Sequence, residues 1–324
     1  MRRALTRAAL GLAAMAAVPG MALAQQDYPN RPIRLVVPFA PGGGADLAAR
    51  KIGEALAKRL GQPIVIDNRA GAGGMLGAQA VASAEPDGYT LLYATPGQQM
   101  TNPHLMKQMP YDPLTAFAPV SQLLLGGSVL VVHKDLPVRS VAELIALARA
   151  KPGALSCASA GVGASSHLAC ELFKHEAKLD IVHVPYKGSG AAVVDVVGGR
   201  VPMAIDSLSV YQPHIANGSV RALAVSSTVP NPAMPELPTI ASTLPGFDAS
   251  PVNYLTAPAK TPKAIIDRLN REVNAVLDDP AIKSYFAATG VIVAGGTPDQ
   301  MGELVRSESA KWKQVIELSG AKPE

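Results

Sequence analysis

Two glycine-rich stretches hold the residues best suited to chemistry: Phe39-Ala40-Pro41-Gly42-Gly43-Gly44-Ala45-Asp46 and Ser159-Ala160-Gly161-Val162-Gly163-Ala164-Ser165-Ser166-His167. Each begins where a short β-rich run ends and stops where a helical pattern starts. Glycines let a backbone curl so that several N–H groups converge, and the helix that follows adds its positive end, so such a loop suits a carboxylate or phosphate oxygen. The second stretch adds hydroxyls. For the first, a plain strand-to-helix turn with Asp46 as a helix cap is an equally open reading. The pair is more informative than either loop, because two anion-seeking loops could grip one ligand from both sides.

Other patterns invite enzyme readings and fall short of them. Cys157-Ala158-Ser159-Ala160-Gly161 resembles a nucleophile elbow, but its first position is Cys and no partner acid or His can be assigned from the sequence. Gly71-Ala72-Gly73-Gly74-Met75-Leu76-Gly77 nearly imitates a dinucleotide fingerprint, with the last glycine one place late. There is no Walker A pattern. Of the six histidines only His167 lies on a candidate loop, where a structural role and a catalytic one both stand. No CxxC pair or His/Cys cluster at ligand spacing occurs, so no metal or cofactor is expected. Cys157 and Cys170, thirteen apart, fit either a disulfide or two buried thiols.

Strand and helix patterns alternate around these loops. A strand from Ile33 leads into the first loop, and Ala48, Ile52, Leu56 and Leu60 then recur at helical spacing before Gly61. Strands follow at 64–67 and 91–93, with a helix from about Met75 between them. A second set opens near Gly126: a strand at 129–133, a capping box Ser140-x-x-Glu143, a strand at 155–158 running into the second loop, and strands at 181–184, 203–205 and 222–225. Thr261-Pro262 predicts a helix to about Leu277, with Pro at its first position, and a terminal helix is expected over 297–318. The alternation predicts an α/β protein of mostly parallel sheets covered by helices. The C-terminal helices have few strands of their own, so the economical chain path returns them to the first unit. That divides the chain into lobe one (25–126 plus 250–324) and lobe two (127–249), with a cleft between them.

The chain has 324 residues, a formal charge of +4 and a pI near 9.0. Arg2, Arg3 and Arg7, the apolar run Ala8 to Val18 and Ala22-Leu23-Ala24 form a secretory signal peptide pattern over residues 1–24, with cleavage expected after Ala24 and a periplasmic destination. Removing those arginines lowers the charge to +1, and the mature part has no Lys/Arg run, which argues against nucleic acid. Aromatics at 4% are too few for the flat platforms of a sugar site.

The chain resembles the tripartite tricarboxylate transporter receptors, the extracytoplasmic solute-binding proteins also called Bug proteins. The matching pieces include Tyr28-Pro29-x-Arg31-Pro32-Ile33, Val37-Pro38-Phe39-Ala40-Pro41-Gly42-Gly43, Asn68-Arg69-Ala70-Gly71-Ala72-Gly73-Gly74 and Asp87-Gly88-Tyr89-Thr90-Leu91-Leu92. Pro110-Tyr111-Asp112-Pro113, Ser166-His167-Leu168, His183-Val184-Pro185-Tyr186-Lys187-Gly188 and Ala257-Pro258-Ala259-Lys260-Thr261-Pro262 continue the match in order. The resemblance implies a two-lobed Venus flytrap without catalysis that captures a small carboxylate, whether amino acid, di- or tricarboxylate or aromatic acid. It implies a monomer that serves a membrane permease of this type or a sensor kinase; the remaining rival is a periplasmic serine hydrolase built on Ser159. By that resemblance Phe39, Gly42, Gly43, Ala45 and Asp46 line one side of the site and Ser159, Gly161, Gly163, Ser165 and Ser166 the other. Asp206 and Ser207 face the ligand's far end, and Thr95 and Gln98 contribute from lobe one. An unpaired Asp206 in the pocket would favour a ligand bearing a hydrogen-bond donor unless Lys187 offsets it; an Asp that merely caps the following turn is the other reading. Asn253, where the family often has an aromatic residue, is expected to alter the distal pocket.

Overall fold

The computed structural model describes residues 28–319, so the expected signal peptide lies outside the described residues. In chain order the first elements are β1 (Ile33–Val37), α1 (Gly44–Leu60), β2 (Ile64–Asn68), α2 (Met75–Ala82), β3 (Thr90–Ala94), α3 (Asn102–Leu105) and β4 (Phe117–Leu125). There follow β5 (Ser128–His133), α4 (Val141–Ala150), β6 (Ser156–Ser159), α5 (Ser165–Ala177), β7 (Val182–Pro185), α6 (Ser189–Val197), β8 (Met203–Ser207), α7 (Leu208–Ala216) and β9 (Val220–Val225). The chain ends with β10 (Val252–Pro258), α8 (Lys263–Leu277), α9 (Pro280–Ala288), β11 (Ile292–Val293) and α10 (Pro298–Ser319).

These strands form two sheets flanked by helices, one ordered β11-β4-β10-β3-β1-β2 and the other β7-β6-β8-β5-β9. The expectation of mostly parallel sheets needs correction. Among the named strands of the described residues, β2-β1-β3 and β7-β6-β8 are parallel and the other pairings are antiparallel. Strands β4 and β10 escape the sequence reading. They carry Pro119 and Pro258, which usually speak against a strand interior, and the ladder accommodates Pro119 opposite Thr256, beside a register shift.

Local chemistry sets the helices. The apolar stripe of α1 (Ala48, Ile52, Leu56, Leu60) is buried with Ile265, Leu269, Val273 and Val276 of α8 on one face of the first sheet. Gly61 ends α1 in the left-handed conformation, its N–H returning to Ala57 O. Ser140 accepts from the Glu143 amide as the capping box requires, although the Glu143 carboxylate bonds the Arg139 amide, one residue earlier than the motif's usual target. Pro262 stands at the N-cap of α8, one position before the predicted one. Cys157 and Cys170 are joined by a disulfide, Cα atoms 6.4 Å apart, that ties β6 to α5.

Candidate functional site

Ligands of open α/β sheets sit beyond the carboxyl ends of the parallel strands. In this fold those ends converge from both sheets on one cavity of about 90 Å³. Its wall takes Phe39 and Gly43–Ala45 from the turn between β1 and α1, and Ala160 and Ala164–Ser166 from the turn between β6 and α5. Tyr93 and Thr95 come from the end of β3, Ser189 from the start of α6, and Asp206, Ser207 and Ser209 from the junction of β8 with α7. The helices α1, α5, α6 and α7 therefore all begin at the cavity. First-turn amides have no acceptor within their own helix, and each helix start carries about half a positive charge. Four such starts around one space make a strong setting for an anion.

Of the residues singled out by sequence, Phe39, Gly43, Ala45, Thr95, Ser165, Ser166, Asp206 and Ser207 stand in the cavity wall. Gly42, Asp46, Ser159, Gly161 and Gly163 stand outside it, each with a different occupation. Asp46 holds the first loop together. It accepts from the Gly42 amide at 3.0 Å, from Arg50 Nε at 3.0 Å and from Asn68 Nδ2 at 3.0 Å. Burial would raise its carboxyl, but these bonds outweigh burial and keep it below the usual carboxylate range.

Ser159 is fully buried, with Oγ 2.6 Å from His183 Nε2 and accepting from the Gly161 amide at 3.1 Å. Gly163 donates to His167 Nδ1 at 3.0 Å, and its carbonyl accepts from Thr101 Oγ1 across the cleft at 2.9 Å. The His167 ring stacks on His183 with centroids 4.0 Å apart. Burial pushes His167 down to about 4 and His183, with His167 adding to the effect, down to about 3, so both are neutral near pH 7. This cluster shapes the second loop from behind. Gln98, fully buried, plays a similar part for Thr95, its Oε1 accepting from the Thr95 amide at 2.6 Å. The Lys187 side chain is exposed and lies outside the cavity wall, while its carbonyl accepts from the Ala40 amide at 3.1 Å.

Asp206 is 6% exposed. Its Oδ1 accepts from the Ser207 amide at 2.8 Å, whereas Oδ2 has no hydrogen-bond partner among the described residues. Burial raises its carboxyl to about 6, against the smaller opposing influence of Ser189 and Ser207. The Tyr93 hydroxyl is also buried and has no hydrogen-bond partner among the described residues. Sequence reasoning missed Tyr93, because an aromatic inside an apolar strand reads as core; its place at the end of β3 was the available sign. Phe286, Thr289 and Val291, together with Leu124 and Asn253, close the end of the cavity nearest α9. A segment around 286–291 carries nothing in its sequence that announces a site.

Comparison with known proteins agrees with this architecture. The sequence model of the tripartite tricarboxylate transporter family receptor matches residues 48–321. Protein BugT of Bordetella pertussis is 40% identical over 297 residues, 91% of each chain. Among solved structures, R. palustris Rpa4515 with adipate superposes with a TM-score of 0.90 at 39% identity, covering 92% of this chain and all of that one. MatC from Rhodopseudomonas palustris with bound malate gives 0.85 at 34% identity, covering 89% of this chain and all of that one. Matched by the family model over most of its length and by these relatives nearly end to end, the chain belongs to the tripartite tricarboxylate transporter receptor family.

Proposed function

We propose that this protein is a periplasmic receptor, released by cleavage after Ala24, that captures a small organic carboxylate and presents it to a permease of the tripartite tricarboxylate type. The observation that carries the reading is the convergence of four helix starts on one cavity between the sheets, those of α1 and α5 behind the two glycine loops and those of α6 and α7 beside them. In this reading the amides of 43–45 and of Ser165 and Ser166 bind the carboxylate head, and Asp206, Ser207 and Thr95 meet the rest of the ligand. The lobes divide near residues 126 and 250. Closure is the functional step, because a ligand touching both loops favours the closed arrangement over an open one.

Adipate and malate in the two relatives support a short carboxylic acid as ligand. One water needs roughly 10–15 Å³ of such space, so the cavity of about 90 Å³ has room for roughly six to nine water-sized groups. The hydrolase reading is disfavoured by Ser159, which pairs with His183 but is fully buried and absent from the cavity wall. Isothermal titration and melting-shift measurements against di- and tricarboxylates, amino acids and aromatic acids test the proposal. Binding by at least one carboxylate, with its uncharged amide analogue inert, is the expected result; binding of uncharged solutes alone would overturn it.

A further inference from the structure

Asp206 stands out once the anion site is drawn, because it places a carboxyl group in the wall of a space otherwise arranged for negative charge. The Ser207 and Ser209 hydroxyls are bonded to each other at 2.9 Å, and among the described residues neither forms a hydrogen bond to Asp206 Oδ2. Oδ1 is fixed by the Ser207 amide, so the group does not turn freely to find solvent, and Oδ2 remains buried and unpartnered. No lysine or arginine contributes to its environment among the described residues; on α7 the neighbouring ionisable group is the buried hydroxyl of Tyr211. A buried carboxyl with a free oxygen is costly unless a donor or cation meets it. Ser189 draws the carboxyl toward its charged form, but no hydrogen bond to Oδ2 forms among the described residues, and Asp206 stands in the cavity wall, where a ligand can bring the donor.

We infer that Asp206 is the specificity-determining residue of this site, selecting carboxylates whose chain also carries a hydrogen-bond donor, an ammonium in preference to a hydroxyl, which Oδ2 accepts. This rests on the carboxylate-receptor reading and narrows it. The head group lies against the helix starts, and the donor lies at the β8–α7 junction on the lobe-two side. A second carboxylate placed beside Asp206 meets like charge at short range, so a plain diacid is discriminated against by repulsion as well as by the lost bond.

The test uses matched acids that differ only in substituent, titrated calorimetrically into the mature protein at pH 7.5. Propionate, lactate and alanine form one series; succinate, malate and aspartate another; glutarate, 2-hydroxyglutarate and glutamate a third. Within whichever series binds best, the ammonium member is expected to bind at least tenfold more tightly than the plain one, with the hydroxyl member between. Asp206→Asn is expected to compress that range below threefold and to tighten binding of the plain diacid, with an unchanged circular dichroism spectrum; Asp206→Ser repeats the test if the Asn variant does not fold. Equal or tighter binding of the plain member by the native protein, or an unchanged order in the folded variant, overturns the inference while leaving the receptor reading intact. If no carboxylate of any series binds, the receptor reading falls and takes this inference with it.

Discussion

Asp206 and His167 act on stability in opposite directions as pH changes. Folding raises the Asp206 carboxyl from 3.8 to about 6. Its contribution is therefore fully present below about 3.8 and is lost as pH rises through 6, a difference of roughly 3 kcal/mol between the two ends of that range. His167 is lowered from 6.5 to about 4, so the stability tied to its neutral form is present above 6.5 and is lost as pH falls toward 4, again about 3 kcal/mol. Between pH 6.5 and 4 Asp206 offsets His167 alone; His183, lowered from 6.5 to about 3, adds a further loss of the same sign as His167, so the unliganded protein is expected to lose stability as pH falls through that range. Asp206→Asn removes one side of this balance. The Asn amide, left without a partner, forfeits part of the gain, so urea unfolding should find the variant more stable by about 2 kcal/mol at pH 7.5. The advantage should disappear by pH 4; equal stability at pH 7.5 would contradict the buried, unpaired carboxylate. Asp206 was named from the sequence through the family resemblance alone, with a turn-capping role left open beside it. Tyr93 was not, since whether a strand aromatic faces a core or a cavity depends on what the other lobe places against it.

At the scale of elements, the second loop lies wholly inside the ring closed by Cys157 and Cys170. A 13-residue ring lowers the entropy of the unfolded chain by an amount worth about 3 kcal/mol in the chain-entropy account. For a protein of this size that corresponds to a drop in Tm of roughly 5–10 °C when the crosslink is removed. Calorimetry on the Cys157→Ala/Cys170→Ala variant, and on native protein reduced with a thiol, should give similar drops; a change under about 2 °C in both would show that the bond adds little to the packing around it. The sequence left this pairing open because spacing says nothing about the distance between a strand and the helix that follows it. It did reveal both glycine loops, as strand ends running into helix starts. What it could not reveal was which part of the second loop turns toward the cavity. That depends on α5 starting at Ser165, which aims Ala164–Ser166 inward and leaves Ser159, Gly161 and Gly163 to the His183–His167 cluster and to Thr101 across the cleft. Strands β4 and β10 were hidden for a different reason: Pro119 lies inside β4 beside a register shift, and Pro258 closes β10 as its last residue.

For the whole molecule the decisive property is how closely the two lobes meet. The Ala40 amide donates to Lys187 O at 3.1 Å, the start of α6 lies against Pro41–Gly43, and Gly44 packs against Ser207. Such approach needs small residues, and Gly190 offers the cleanest place to test it. A Cβ there would lie 2.8 Å from Pro41 O, 3.2 Å from the Gly42 carbonyl carbon and 3.3 Å from the Gly43 nitrogen, all backbone atoms of the opposing loop. Gly73 and Gly163 also leave no room for a side chain, but both have positive φ, so substitution there would strain the backbone in any state of the protein. Gly190 sits in the first turn of α6 without that constraint, where alanine is the better helix former by up to about 1 kcal/mol. Gly190→Ala should therefore leave the unliganded Tm unchanged or slightly raised while opposing closure. If the clash costs the closed form about 1.4 kcal/mol, affinity for the best carboxylate falls about tenfold, since a ligand that needs the closed state weakens in proportion to the population of that state. Small-angle scattering should show less compaction on ligand addition than in the native protein. A variant that binds and compacts like the native protein would mean that the lobes need not meet at α6 for the ligand to be held, and closure would then have to be assigned to the contacts of Gly73 and Thr101 with the second loop instead.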